Sequence, residues 1–285
     1  MRIINAAESM HLCFEGEKFD ISRWKKYMDA CAPGAKQKCL DDMQECLNAG
    51  YTWEKDYLPV LNGVMINQEK REEVIRSFCT VTQNLENRIL SVFGKNVDAD
   101  IVLYLGLCCG AGWVTQINQR VTILLGIEKI VELDWCSVDA MNGLILHELG
   151  HVYQAQHGVI SIDASKNRER YLWQLFTEGV AMVFEQEMVG NRAYFHQDRD
   201  GWKEWCEQNE AKIASAFYRE LDGMTREKQQ FFGDWVRFEG MPDVGYYLGA
   251  RLVRFLMNMA SFEQIIACNI NDIEKAYSAY LAHLM

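Results

Sequence analysis

The chain has 285 residues, of which 49% are hydrophobic and 24% charged, and these proportions exclude the disordered and fibrous classes of protein. Its 40 acidic and 29 basic residues give a formal charge of −11, and the chain contains no dense run of Lys or Arg, so we expect no binding to nucleic acid. The sequence lacks a signal-peptide pattern and a run of roughly 20 apolar residues, which predicts a cytoplasmic protein without membrane contact.

Ten cysteines are scattered along the chain. In a cytoplasmic protein of this length we expect them to be reduced and mostly buried rather than paired in a disulfide framework. The adjacent residues Cys108 and Cys109 lie in an apolar run, and no second Cys pair follows at zinc-finger spacing. Cysteine chemistry is therefore not the predicted function.

Local patterns divide the chain into an N-terminal helical region, residues 1–95, and a second region, residues 96–285. The segment from about Ile21 to Phe93 reads as several amphipathic helices. Residues from Asp100 to about Leu133 are rich in Val, Ile, Leu and Thr and are broken by glycines, which predicts a small sheet of short strands. Helical periodicity returns after Ser137 and continues to the C-terminus. This order indicates an α+β fold that is predominantly helical.

The stretch HELGH, His147 to His151, carries the strongest chemical signal. It lies in a helix predicted over about residues 138–156, with Ser137 as the N-cap. At 100° per residue the two histidines lie about 40° apart and away from the main apolar stripe of this helix. Two imidazoles one turn apart can bind one zinc ion, and Glu148 between them can act as a general base on a water molecule. The motif predicts a catalytic zinc site.

Gly150 lies in the interior of the same predicted helix. Glycine at such a position costs about 1 kcal/mol relative to alanine, so a purely structural helix gains little from it. We therefore expect a neighbouring segment to approach the helix closely at this point.

A catalytic zinc site needs a third protein ligand. In a helix predicted over about residues 170–188, Glu178 projects away from the apolar stripe and would complete a site of two histidines and one glutamate. His157 is one alternative, because it stands where the metzincin motif has its third histidine, although Gln154 replaces the glycine of that motif. Glu185, on the same face as Glu178, is another alternative ligand or a partner for a histidine N–H.

The HELGH motif followed by Glu178 and Gly179 on a later helix resembles the gluzincin metallopeptidases, and within them the predicted zinc-dependent proteases of bacterial uncharacterised-domain families. The likeness covers roughly Ile101 to Leu256 and includes a Gly-Tyr segment, "DVGYYLGARLVRFL", at residues 243–256. It implies a zincin-like catalytic domain with Glu148 as the general base. It also implies one Zn²⁺ per chain, bound by the three predicted ligands His147, His151 and Glu178.

The resemblance further implies that a strand near Val121 to Gly126 lines the cleft and pairs with an extended peptide. Tyr246 or Tyr247 would then donate its O–H to the oxyanion, although core packing is the alternative interpretation of both tyrosines. Arg251 is a candidate for binding a substrate carboxylate, or else an ordinary surface residue. The predicted function is hydrolysis of a peptide or protein substrate by a zinc metallopeptidase. The alternative is a zinc-binding regulatory or peptide-binding protein that keeps the fold without turnover.

Overall fold

The computed structural model describes residues 1–164, 166–226, 228–233 and 235–285 of the chain. The fold is α+β and predominantly helical, with one small mixed sheet, as the sequence predicted. Contacts between Cα atoms divide the chain into two compact units, Met1–Glu148 and Leu149–Met285. The point of division falls inside one continuous helix, Val138–His157. The boundary that the sequence analysis places near residue 95 stays a prediction.

The first unit contains a four-stranded sheet and a two-stranded ribbon. The strands are β1 (Arg2–Asn5), β2 (Phe14–Glu15), β3 (Lys18–Phe19), β4 (Asp100–Tyr104), β5 (Gly112–Ile117) and β6 (Arg120–Gly126). In the larger sheet the spatial order is β1-β4-β6-β5, and only the edge strand β5 is antiparallel to its neighbour. Strand β1 was not predicted, because four residues with two adjacent isoleucines carry no periodic signal.

Asp100, at the start of β4, connects three strands. Its side chain is buried and accepts hydrogen bonds from Nε of Arg2 in β1 at 3.0 Å and from Nη2 of Arg120 in β6 at 3.0 Å. Burial by itself would raise the pKa of Asp100, but the two guanidinium groups outweigh it and hold this pKa below its ordinary value. The network therefore supports the register in which Arg2 lies opposite Asp100.

Six α-helices belong wholly to the first unit, beside a 3-10 helix, Ala6–Cys13, and a π-helical turn, Trp53–Tyr57. They are α1 (Ile21–Cys31), α2 (Pro33–Asn48), α3 (Leu58–Ile66), α4 (Gln68–Thr82), α5 (Leu85–Phe93) and α6 (Ile127–Glu132). The first five confirm the predicted helical segment, whereas α6 occupies the end of the segment that was expected to be strands. Helix α1 is anchored to the chain after β4, because Nε1 of the fully buried Trp24 donates to the Leu105 carbonyl oxygen at 2.9 Å.

Helix α7 (Val138–His157) crosses the point of division, and six further α-helices lie in the described residues of the second unit. These are α8 (Asn167–Val189), α9 (Trp202–Gln208), α10 (Glu210–Glu220), α11 (Val244–Leu256), α12 (Phe262–Ile265) and α13 (Ile270–Leu284). In the part of the chain that the structure describes, none of the helices combines the length and the apolar character needed to cross a membrane.

Glycines allow helix α8 to pack very closely against its neighbours. A Cβ added to Gly179 would lie 2.2 Å from the carbonyl oxygen of Gly249 in α11, so the two backbones touch at this crossing. A Cβ added to Gly150 in α7 would lie 2.7 Å from Cα of Ala181 in α8. The expected close approach at Gly150 is thus confirmed.

Strand β6 has no free edge, so the predicted pairing of residues Val121 to Gly126 with an extended peptide is wrong. The backbone of β6 is already hydrogen-bonded to β4 on one side and to β5 on the other. Among the described residues β5 pairs with β6 alone, so the open edge on this side of the sheet belongs to β5. The hairpin was missed because its turn, Asn118 and Gln119, has positive φ at both residues but lacks the usual glycine.

Candidate metal centre

Helix α7 begins at Val138, as the sequence predicted. Ser137 caps it, since its Oγ accepts a hydrogen bond from the backbone N–H of Ala140 at 3.2 Å. The helix is buried on more sides than its predicted apolar stripe: Leu144 and Leu146 are buried as well as Ile145. His147 is itself only 8% exposed. The histidines therefore project from a helix that is surrounded by protein rather than from a solvent-facing side.

The predicted ligands come together in the folded chain. His147, His151 and Glu178 each offer one ligand atom, and these three atoms lie within 4.8 Å of one another. The distance between Nε2 of His151 and Oε2 of Glu178 is 3.4 Å, and their side chains are 21% and 16% exposed. The group is thus sheltered, but two of its side chains remain partly exposed to solvent.

The donor set fits zinc. Zinc binds imidazole nitrogens and carboxylate oxygens at about 2.0–2.2 Å, and two such ligands at a tetrahedral angle lie about 3.4 Å apart. The separation of 3.4 Å between the His151 and Glu178 atoms agrees with this value. Two imidazoles and one carboxylate also match the ligand types that zinc hydrolases use.

Glu148 follows His147 on the same helix and is half-buried. A Cβ added to Gly112, the first residue of β5, would lie 3.2 Å from both Cγ and Oε1 of Glu148. Strand β5 therefore runs directly past the Glu148 carboxylate, and glycine at residue 112 leaves room for it. The sequence predicted Glu148 as a base but did not predict this neighbour.

A second group of possible ligands includes a residue that the sequence analysis missed. His147, Glu185 and His196 also offer ligand atoms within 4.8 Å of one another. Oε2 and Oε1 of Glu185 lie 2.9 Å and 3.1 Å from Nδ1 of His196, and the Glu185 side chain is fully buried. A signal for His196 did exist, since four of the six histidines lie between residues 147 and 196.

His157, the alternative third ligand, has a different environment. Its ring packs against Tyr153, with the ring centroids 4.6 Å apart. Among the described residues neither group of possible metal ligands includes His157. Glu178, rather than His157, is the third residue that the structure brings to the two motif histidines.

The two candidate oxyanion donors differ in their surroundings. The half-buried Tyr246 packs its ring against Phe232, with the centroids 5.8 Å apart. The hydroxyl of the buried Tyr247 donates to Oε2 of Glu210 at 2.7 Å, and Arg251 donates from Nε to the same carboxylate at 2.9 Å. Burial, together with the hydrogen bond to Glu210, raises the pKa of Tyr247 far above its ordinary value, so this hydroxyl stays protonated. A catalytic role for either tyrosine stays a prediction.

Comparison with known proteins does not assign the chain to a class. No protein-family model matches it, and no similar curated protein or solved structure was found. The resemblance to gluzincins therefore rests on the motif residues alone. The fold and the grouped side chains define a helical α+β protein with a candidate metal centre.

Proposed function

We propose that this chain is a zinc-dependent peptidase of the gluzincin type, with one Zn²⁺ held by His147, His151 and Glu178. The observation that supports this proposal most strongly is that the three predicted ligand atoms lie within 4.8 Å of one another. Two of these ligands belong to an HExxH helix, and the third comes from a separate helix. Glu178 can reach the two histidines only in the folded chain. The grouping agrees with the ligand set predicted from the sequence alone.

Bound zinc would act as a Lewis acid and would lower the pKa of a coordinated water toward about 7. The residue next to His147 on α7, Glu148, would accept the proton of the attacking water and later deliver it to the leaving amine. Its half-buried position beside β5 restricts the directions from which a substrate can approach. General acid–base catalysis by such a residue contributes about 10²–10⁴-fold to the rate.

We further propose that the substrate is an extended peptide that adds to β5 as a new antiparallel strand. Among the described residues no second strand pairs with β5, so backbone N–H and C=O groups on this edge would bind the peptide, and such hydrogen bonds do not depend on the substrate's side chains. Because Gly112 lies against Glu148, a peptide along this edge would pass close to the general base. Strand β5 takes the role that the sequence analysis gave to β6.

The test begins with elemental analysis of the purified full chain, which should contain about one zinc per molecule. Digestion of an unbiased peptide library, followed by mass spectrometry, should then reveal cleavage products. Glu148→Gln should keep its zinc and lose at least about 100-fold in turnover. The exposed Glu204 provides a matched control, and Glu204→Gln should behave as the unaltered protein does.

The outcomes separate the competing functions. A purified protein without bound metal, and without affinity for added zinc, would overturn the proposal. Zinc binding without cleavage of any library peptide would support the non-catalytic alternative instead. Equal turnover by Glu148→Gln would contradict the mechanism.

A further inference from the structure

Glu185 is a fully buried carboxylate that lies between two imidazole side chains. It is seven residues after Glu178 on α8, about two helical turns, so the two carboxylates lie on the same face. Both of its oxygens are near Nδ1 of His196, and one of its oxygens lies within 4.8 Å of a nitrogen of His147. A buried charge is costly unless it is paired and hydrogen-bonded, so this placement needs a physical reason.

The segment that follows α8 reverses direction and places His196 against this helix. Helix α8 ends at Val189, and the next residue, Gly190, caps it in a left-handed conformation with φ of 74° that reverses the chain. Nε2 of Gln186 donates to the carbonyl oxygen of Tyr194 at 3.0 Å and fastens the returning segment to α8. His196 is thereby held against Glu185, and the orientation of the carboxylate is fixed.

We propose that Glu185 and His196 form a buried pair that orients His147 for metal binding. This inference rests on the proposed function and adds two positioning residues to its site. A histidine that binds zinc through one ring nitrogen can donate a hydrogen bond from the other, and an acceptor there fixes the orientation of the ring. Glu185, which has an oxygen within 4.8 Å of a His147 nitrogen, would accept that hydrogen bond, and His196 would hold Glu185 in place.

Glu185 and His196 could instead be zinc ligands themselves. The solvent exposure of the side chains favours a positioning role for them. A catalytic metal needs an open position, and the side chains of His151 and Glu178 are 21% and 16% exposed. Glu185 is 0% exposed and His196 is 17% exposed, so the second group has one accessible ligand side chain besides His147, whereas the first group has two. His151 and Glu178 are therefore assigned as ligands together with His147, and Glu185 and His196 as the residues that support His147.

The experiment measures zinc affinity by competition with a chelator in the full chain. Glu185→Gln should bind zinc about 10–100-fold more weakly than the unaltered protein, the usual cost of removing such a supporting carboxylate. His196→Gln should weaken binding less. Because His196 acts through Glu185, the double variant should bind no more than about twofold more weakly than Glu185→Gln, a non-additive result.

Matched variants control for charge and for folding. Glu169→Gln changes a glutamate near the start of the same helix, and His283→Gln changes a histidine that packs on Phe255; both should keep the original affinity. Thermal melts of the metal-free proteins show whether each variant is folded. If Glu185→Gln does not fold, zinc affinity is measured on two other variants. One is Glu185→Asp, which keeps the carboxylate, and the other is His196→Gln, at a partly exposed residue.

Cobalt(II) substitution distinguishes a positioning residue from a ligand. Glu185→Gln should retain the visible absorption bands of the cobalt protein at saturating metal, whereas Glu178→Gln should change or lose them. If Glu185→Gln binds zinc as tightly as the unaltered protein, the inference fails while the proposed function stands. If Glu185→Gln removes the cobalt bands and Glu178→Gln leaves them intact, Glu185 is a ligand and the inference is wrong. Absence of zinc binding by the unaltered chain would instead overturn the proposed function itself.

Discussion

His147 is the residue on which the candidate metal centre depends most. It offers a ligand atom to both groups of possible metal ligands, and it is nearly inaccessible to solvent. A neutral imidazole can bind a metal through one nitrogen and donate a hydrogen bond from the other, so one side chain can serve both neighbours. Glu148, next in sequence, faces a different partner, the backbone of β5 at Gly112.

Gly112→Ala is expected to slow peptide cleavage at least tenfold while zinc content stays unchanged. An added Cβ would lie 2.8 Å from Cδ1 of Leu144 and 3.2 Å from Oε1 of Glu148, so the general base would have to move. A misplacement of about 1 Å at a reacting group can cost about 100-fold in rate. The measurement is kcat/KM beside that of Gly223→Ala, whose added Cβ meets no atom within 4 Å. Unchanged cleavage by Gly112→Ala would contradict the role of Glu148 beside β5.

Helices α8 and α11 pack more closely than ordinary side chains permit, and this contact supports the helix that carries Glu178 and Glu185. The crossing of Gly179 and Gly249 lets the two backbones touch. The sheet uses a different device, the buried carboxylate of Asp100, which connects β4 to both of its neighbours. In both cases one or two residues determine how neighbouring elements pack.

Gly179→Ala should destabilise the protein by about 1–3 kcal/mol, the usual cost of inserting a methyl group into a filled contact. Since the new Cβ would lie 2.2 Å from a backbone oxygen, neither helix can accommodate it without moving. Urea denaturation with a constant m-value measures the change in the free energy of unfolding. Gly63→Ala in α3 is the control, because its Cβ would meet only Nδ2 of Asn67 at 3.9 Å; this variant should be unchanged or slightly stabilised. A fully stable Gly179→Ala protein would refute the close helix crossing.

Asp100→Asn should destabilise the protein by about 1–3 kcal/mol at pH 7, because two guanidinium groups lose their charged acceptor. The pKa of Asp100 is lower in the folded than in the unfolded chain. The ionised carboxylate therefore contributes its stabilisation above the unfolded pKa of about 3.9, and this contribution is lost as pH falls through the folded value. Denaturation curves from pH 7 down to about pH 2 should show the two proteins converging in acid.

The control for this prediction is Asp98→Asn, because Asp98 also contacts Arg120 but its side chain is 74% exposed. Exposed ion pairs of this kind contribute little, about 0–1 kcal/mol. A difference between Asp100→Asn and the unaltered protein that stays constant with pH would mean that lost packing, not lost charge, is responsible.

The chain as a whole is organised by long helices, and its three prolines do not interrupt them. Pro33 and Pro59 lie in the first turns of α2 and α3, where proline costs no hydrogen bond, and Pro242 precedes α11. Glu178 lies 27 residues after His151 on a different helix, so the third candidate ligand reaches the two histidines only through folding. A metal bound by these residues would therefore stabilise the folded chain.

Zinc should raise the thermal stability of the full chain. At a free zinc concentration 100 times the dissociation constant, binding to the folded state alone contributes about 2.7 kcal/mol. EDTA should lower Tm, added zinc should restore it, and Glu178→Gln should lose most of the response. Differential scanning calorimetry measures all three, with Glu169→Gln as the control on the same helix. An equal Tm with and without EDTA would contradict a zinc site that is formed by folding.

The sequence by itself determined the features that depend on residues close together in the chain. Helix α7, its Ser137 cap and the facing of His147 and His151 follow from periodicity within one helix. The predominantly helical α+β class also follows from local patterns, as does the interpretation of Glu178 as a residue projecting from its helix. These signals lie within windows of about 20 residues, so no tertiary contact was needed to recognise them.

Only the tertiary structure decided which distant residues meet. Strand β1 pairs with β4 across nearly 100 residues, and β6 became an interior strand because a hairpin without glycine placed β5 outside it. The pairing of His196 with Glu185 depends on how the chain returns after α8. Such contacts join residues with no common periodicity, and their stability comes from packing and desolvation in the folded chain, which local sequence patterns do not encode.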